Sequence, residues 1–182
     1  MHQTNVIWTS IDRPGVALCV VPVPRGKLTS WDSLYFLFKS AVGDGHATPA
    51  NIPKTIVFID QRTLIGEAAA WAMDMLLFMS NEYLTLLSAK ERCVYNIIRG
   101  FTAHVSESNK KHFYDEFKDP SSGIRIMIAT TSLGVGVNIP DVARIVTWML
   151  PITKSLADLW QRIGRGGRGI GRTGIAILML PY

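Results

Sequence analysis

Cysteine is scarce in this 182-residue chain, with Cys19 and Cys93 the only two. Thiols so far apart frame neither a disulfide scaffold nor a four-cysteine zinc site, and they suit a reducing compartment, nuclear or cytoplasmic. His2, His46, His104 and His112 show no metal-ligand spacing, so no metal centre is expected from histidine. Long apolar runs are missing too. Residues 16–23 and 68–79 are too short or too interrupted for a membrane span of roughly 20 residues. Residues 1–10 hold no Lys or Arg ahead of an apolar run, so neither a secretory signal nor a membrane partner is expected. The chain also has no Gly-x-x-x-x-Gly-Lys-Ser/Thr, because Gly26-Lys27-Leu28 lacks both the upstream glycine and the hydroxyl. It therefore carries no phosphate-cradling loop of its own. Charged residues are few, 18% against 48% hydrophobic, which excludes a disordered chain. Nineteen Lys and Arg against fourteen Asp and Glu leave +5, a balance that favours a polyanionic partner. The length fits one domain, 1–182.

What is present alternates. Runs rich in β-branched residues at 16–23, 55–60, 124–129, 142–150 and 175–180 read as strands buried on both faces. Helical spacing predicts helices over 31–41, 64–79, 89–98, 107–118 and 156–163. Alternating strands and helices imply an α/β fold with a parallel sheet. Ser88 and Ser155 each precede an acid by three residues and mark two helix starts. In 156–163, Leu156, Leu159, Trp160 and Ile163 share one apolar stripe, which leaves Gln161 and Arg162 off it. Trp31, Tyr35 and Phe38, like Trp71, Met75 and Phe78, have the spacing of core stripes. Asp115 and Glu116, between Phe113 and Phe117, read as a solvated helix face.

The most informative stretch is 161–172, with four arginines, five glycines and no acid. Glycine lets the backbone approach a ligand closely, and arginine offers a planar fork of donors that stays charged, so phosphate is the ligand implied. Gly164 should stop the preceding helix and carry Arg165 and Arg168 on a turn at the mouth of the sheet. A basic loop touching RNA is the plainer alternative.

Gln161-x-x-Gly164-Arg165-x-x-Arg168 resembles motif VI of superfamily 2 helicases, and 129–142 resembles motif V of the RecQ-like helicases. Residues 55–62 resemble motif IV, 101–104 with the helix after them resemble the segment between motifs IV and V, and 12–16 resemble the lead into a second motor domain. The resemblance implies the second RecA-like, helicase C-terminal domain of a RecQ-like ATP-dependent DNA helicase, with 1–12 leading in from a first motor domain. It implies a RecA-like three-layer α/β sandwich with a mostly parallel central sheet flanked by helices. ATP with Mg²⁺ would be bound jointly with the first motor domain, which supplies the P-loop, and no zinc is expected in this chain. The implied partners are that domain and single-stranded or unwinding DNA.

Residue by residue, the resemblance implies that Arg165 and Arg168 reach the γ-phosphate of ATP and Gln161 senses the partner domain's acidic motif. Asn138 would touch the ribose, with Gly136 and Gly164 completing the ATP site. Arg62, Thr130, Thr131, Gly134 and His104 would face the nucleic acid. One rival is a non-catalytic nucleic-acid-binding or regulatory module of the same fold. Another is an RNA helicase of the same superfamily, although its relatives place Arg-Gly-Asp-like residues where 135–138 stand.

Overall fold

The structure, a computed structural model, describes residues 14–38, 52–81, 97–102, 105–133, 139–153, 155–168 and 171–182. Six strands form one sheet: β1 (Val16–Val23), β2 (Thr55–Ile59), β3 (Ile98–Phe101), β4 (Ile126–Ala129), β5 (Arg144–Trp148) and β6 (Gly174–Pro181). Their order is β1-β6-β5-β2-β4-β3, and every pairing is parallel. The described helices are α1 (Arg62–Asn81), α2 (Glu107–Lys118) and α3 (Leu156–Ile163).

Successive strand residues point to opposite faces, so the central strands feed two cores. On one face Val57, Ile59, Ile128, Val146 and Trp148 pack under Ile65, Ala68, Ala72 and Leu76 of α1. Leu34, Leu37 and Phe38 of a 3-10 helix, Asp32–Phe38, complete that side. On the other face Ile56, Phe58, Met127 and Ile145 pack under Phe117 of α2 and Leu159 and Ile163 of α3. The parallel α/β sheet expected from the alternation and the three-layer arrangement that the resemblance implies are therefore present.

Several local expectations are revised. β1 is an edge strand, with Ala17, Leu18, Cys19 and Val20 exposed, so it is not buried on both faces and the Cys19 thiol is at the surface. Of the helix expected over 31–41, residues 32–38 form the 3-10 helix instead and 39–41 lie outside the described residues, while the positive φ of Trp31 seats its ring 5.0 Å from Trp148. Most of the helix expected over 89–98, with its Ser88 cap, lies outside the described residues, and Ile98 opens β3. On α1, Phe78 is 71% exposed, so its stripe does not extend into the core. Trp31 and Phe38 are buried as expected, Asp115 is exposed, and Phe117 is fully buried.

At the strand starts, three glycines from distant segments touch. Gly174 N donates to Gly15 O at 2.8 Å, and Gly167 has φ +59°, a conformation in which glycine alone is unstrained. A Cβ on Gly174 would stand 2.8 Å from Gly167 N, and one on Gly167 would meet Gly15 O and Gly174 N, each at 3.1 Å. Those obstacles are backbone and cannot swing aside. Gly174→Ala should therefore cost roughly 1–3 kcal/mol as overpacking. Gly123→Ala, with open space around it, should change stability little. Urea melts of the two variants compare the effects directly.

Candidate nucleotide and nucleic-acid site

The site begins at the cap of α3. Ser155 Oγ accepts from Ala157 N at 3.2 Å, which starts the helix where the sequence placed it. Asp158 does not close a capping box, because its carboxylate accepts from Thr153 Oγ1.

The face of α3 differs from the expected stripe. Leu159, Ile163 and Arg162 are buried, whereas Leu156 is 80% and Trp160 40% exposed. Arg162 turns the helix. Its Nη2 lies 2.6 Å from Asp60 Oδ1, and its guanidinium sits 5.4 Å from the centre of the Phe58 ring. The second Asp60 oxygen accepts from Ile152 N at 2.7 Å. One carboxylate at the tip of β2 thus fixes both α3 and the loop that leads into it.

Beyond α3 the chain makes a tight turn. Gly164 N donates to Trp160 O, Arg165 N to Arg162 O, and Gly166 N to Ile163 O. Gly164 caps the helix with ordinary right-handed dihedrals, so its role is steric: a Cβ there would stand 3.2 Å from Trp160 O. Arg168 Nε donates back to Gly164 O at 2.8 Å and ties the two ends of the turn together. Gly167 N donates to Val142 O at 3.0 Å, and a Cβ on Gly166 would come within 3.0 Å of the Ile145 side chain. These partners all lie at or just before strand starts. The two arginines consequently sit on a turn at one mouth of the sheet, its N-terminal pole. An eight-residue α3 running antiparallel to β5 returns the chain to that pole.

Arg165 is partly buried. Burial first, and the Arg168 charge second, push its guanidinium below the ordinary arginine value, with Tyr114 acting in the opposite sense. Two guanidinium groups held close and partly desolvated favour an anion between them. Their planar forks and the glycine-framed turn suit a phosphate group. Among the described residues no group of three acidic, histidine or cysteine side chains could hold a metal ion.

A second group stands at the opposite pole. Arg62 is exposed as the first residue of α1, two residues beyond Asp60. Beside it, at the end of the neighbouring strand β4, Thr130 is 7% exposed and Thr131 exposed, with Thr130 N donating to Phe101 O. Gln161 is exposed on α3. The structure thus brings Arg165 and Arg168 together, and Arg62 with Thr130 and Thr131, at opposite ends of strands about 15 Å long. Gly134, Gly136, Asn138 and His104 lie outside the described residues. Sequence reasoning missed Asp60, Arg162 and Tyr114. A signal existed for Arg162, which stands at i+3 from Leu159 and so shares its buried side.

The fold is that of a RecA-like domain, and the comparisons agree. The profile of the helicase conserved C-terminal domain matches residues 47–169, and the chain belongs to that family. It is 35% identical over 96 residues to the ATP-dependent RNA helicase eIF4A of Meyerozyma guilliermondii, an overlap of 53% of this chain and 22% of that protein. The chain thus spans about a fifth of that relative's length. Its structure is similar to S. cerevisiae Dbp5 bound to RNA and ADP BeF3, with TM-score 0.61 at 18% identity, covering 98% of this chain and 39% of that one. It is equally similar to Mycobacterium smegmatis helicase Lhr bound to ssDNA and AMP-PNP, with TM-score 0.61 at 22% identity over 92% and 20% of the two chains.

Removing one partner of a buried ion pair strands the other charge, at a cost of about 3–5 kcal/mol. Arg162→Ala should therefore destabilise the domain strongly. Asp60→Asn, which keeps an acceptor for Ile152 N, should destabilise it less; equilibrium denaturation followed by circular dichroism checks the order.

Proposed function

We propose that this domain is the second motor domain of an ATP-dependent helicase that tracks single-stranded nucleic acid. The observation that carries the reading is the glycine-framed turn holding Arg165 and Arg168 at one pole while Arg62, Thr130 and Thr131 stand at the other. In this reading ATP with Mg²⁺ lies between this domain and a first RecA-like domain that contributes the P-loop, and it supplies the phosphoryl group that is cleaved. Arg165 and Arg168 place their forks on the γ-phosphate oxygens, Gln161 contacts the partner domain, and Asn138 binds the ribose, with Gly136 and Gly164 admitting the backbone. Arg62 and Thr130 hold strand phosphates, and Thr131, Gly134 and His104 also take part in binding the nucleic acid. Such contacts fix position without reading bases. A nuclear or cytoplasmic location suits that partner.

The similar proteins support RNA as the strand, since eIF4A is an RNA helicase and the Dbp5 structure holds RNA. A second reading, a RecQ-like DNA helicase, is supported by the RecQ-like pattern over 129–142, and Lhr is described bound to ssDNA.

The test uses the protein joined to its P-loop domain. Arg168→Ala should lower kcat far more than it weakens ATP binding, with arginine-finger losses of roughly 10³ to 10⁵ as the upper scale. Arg168→Lys should rescue little, because a point charge does not reproduce the fork. Arg172→Ala should leave kcat nearly intact, and equal losses at 168 and 172 would reduce the segment to a basic loop. The isolated 182-residue chain should hydrolyse no ATP above background.

Titrating labelled single-stranded RNA and DNA of one sequence at several salt concentrations decides between the two strands. Binding to the chosen strand should weaken steadily as salt rises.

A further inference from the structure

Lys54 belongs to none of the motifs above, yet it is only 3% exposed. Its Nζ donates to Phe117 O at 2.7 Å and Asp119 O at 3.3 Å, and lies 2.7 Å from Asp141 Oδ2. An ammonium group has three donors, and each here has an oxygen. The Lys54 carbonyl accepts from Ala143 N at 2.9 Å and Arg144 N at 3.1 Å. One residue therefore grips 141–144 through both its side chain and its backbone. Within that stretch Val142 O receives Gly167 N, in the turn between Arg165 and Arg168.

We propose that Lys54, acting through Asp141 and the Val142 carbonyl, is a positioning residue for the turn that carries Arg165 and Arg168. The proposal rests on the motor-domain reading above. Its physical basis is the charge on Asp141. That side chain is 10% exposed, and its Oδ1 has no hydrogen-bond partner among the described residues, so Lys54 supplies the compensation. Without the ammonium, a buried carboxylate must move towards water. Val142 follows it, being the next residue, and so does the acceptor that locates Gly167. A misplacement of about 1 Å at a reacting group costs roughly 100-fold in rate.

The experiment measures ATP turnover by the protein with its P-loop domain, at a temperature where every variant is folded by circular dichroism. Lys54→Met should lower kcat roughly 10- to 100-fold while leaving KM for ATP and nucleotide-free strand affinity within about twofold. Adding Asp141→Asn to Lys54→Met removes the stranded charge and should restore part of the lost kcat. Asp141→Asn alone, nearly isosteric, should show a smaller loss with the same unchanged KM, and it provides the measurement if Lys54→Met does not fold.

Leu34→Ala, in the core on the opposite face, is the control for lost stability alone and should keep kcat. Wild-type kcat in both Lys54→Met and Asp141→Asn, or in Asp141→Asn alone if Lys54→Met does not fold, would overturn the proposal, as would a matching loss in Leu34→Ala. Arg168→Ala measured alongside separates the two readings. If it retains full kcat, the motor-domain assignment fails and the proposal with it. If it loses kcat while the Lys54 and Asp141 variants do not, only the positioning role fails.

Discussion

The arginine buried beneath α3 decides how the business end of this domain is built. Arg162 reaches Asp60 and lies over Phe58, and an eight-residue helix with so strong a tether cannot rotate. A helix rotated to bury Leu156 and Trp160 would satisfy hydrophobic spacing but leave a guanidinium and a carboxylate without each other. Desolvated charges outweigh two partly exposed apolar side chains, so the ion pair sets the helix face. With that face fixed, the chain leaving Ile163 can only enter the narrow space beside Val142 and Ile145, and glycine is what fits there.

A rigid parallel sheet then separates two kinds of contact. Arg62 and Thr131 project from strand ends, whereas Arg165 and Arg168 are anchored to strand beginnings. Asp60 connects the poles, standing two residues before Arg62 and bonded to the helix that delivers the arginine turn. A displacement of α3 would be felt at the tip of β2 through that pair, with no loop intervening. The closely packed sheet beneath makes such a displacement a rigid-body event rather than a local bend.

Much of the architecture was legible because it rests on short-range patterns. The central strands announce themselves as β-branched runs, α2 and α3 have the boundaries that their spacing predicts, and Ser155 caps where a hydroxyl was noted. Burial was harder to read. β1 is as apolar as the inner strands, and its place at the edge follows from the pairing order, which no local pattern encodes. Trp160 and Arg162 exchanged expected roles because the partner of Arg162 lies 102 residues away. Lys54 was passed over for the same reason, since its acceptors come from two segments more than sixty residues downstream. The motif residues Arg165 and Arg168 were identified from spacing, but their pole depended on the length of α3 relative to the strand it returns along.

The contact among Gly15, Gly167 and Gly174 carries a consequence for descent. Backbone meets backbone there: a side chain gained at Gly174 would press on Gly167, one gained at Gly167 would press on Gly15 and Gly174, and one gained at Gly15 would press on the Arg172 carbonyl. Drift at these sites is resisted at each position, because the obstacle is backbone that every residue carries. A descendant that enlarged Gly167 or Gly174 would have to open the junction, loosening the anchorage of the arginine turn without any change in an arginine.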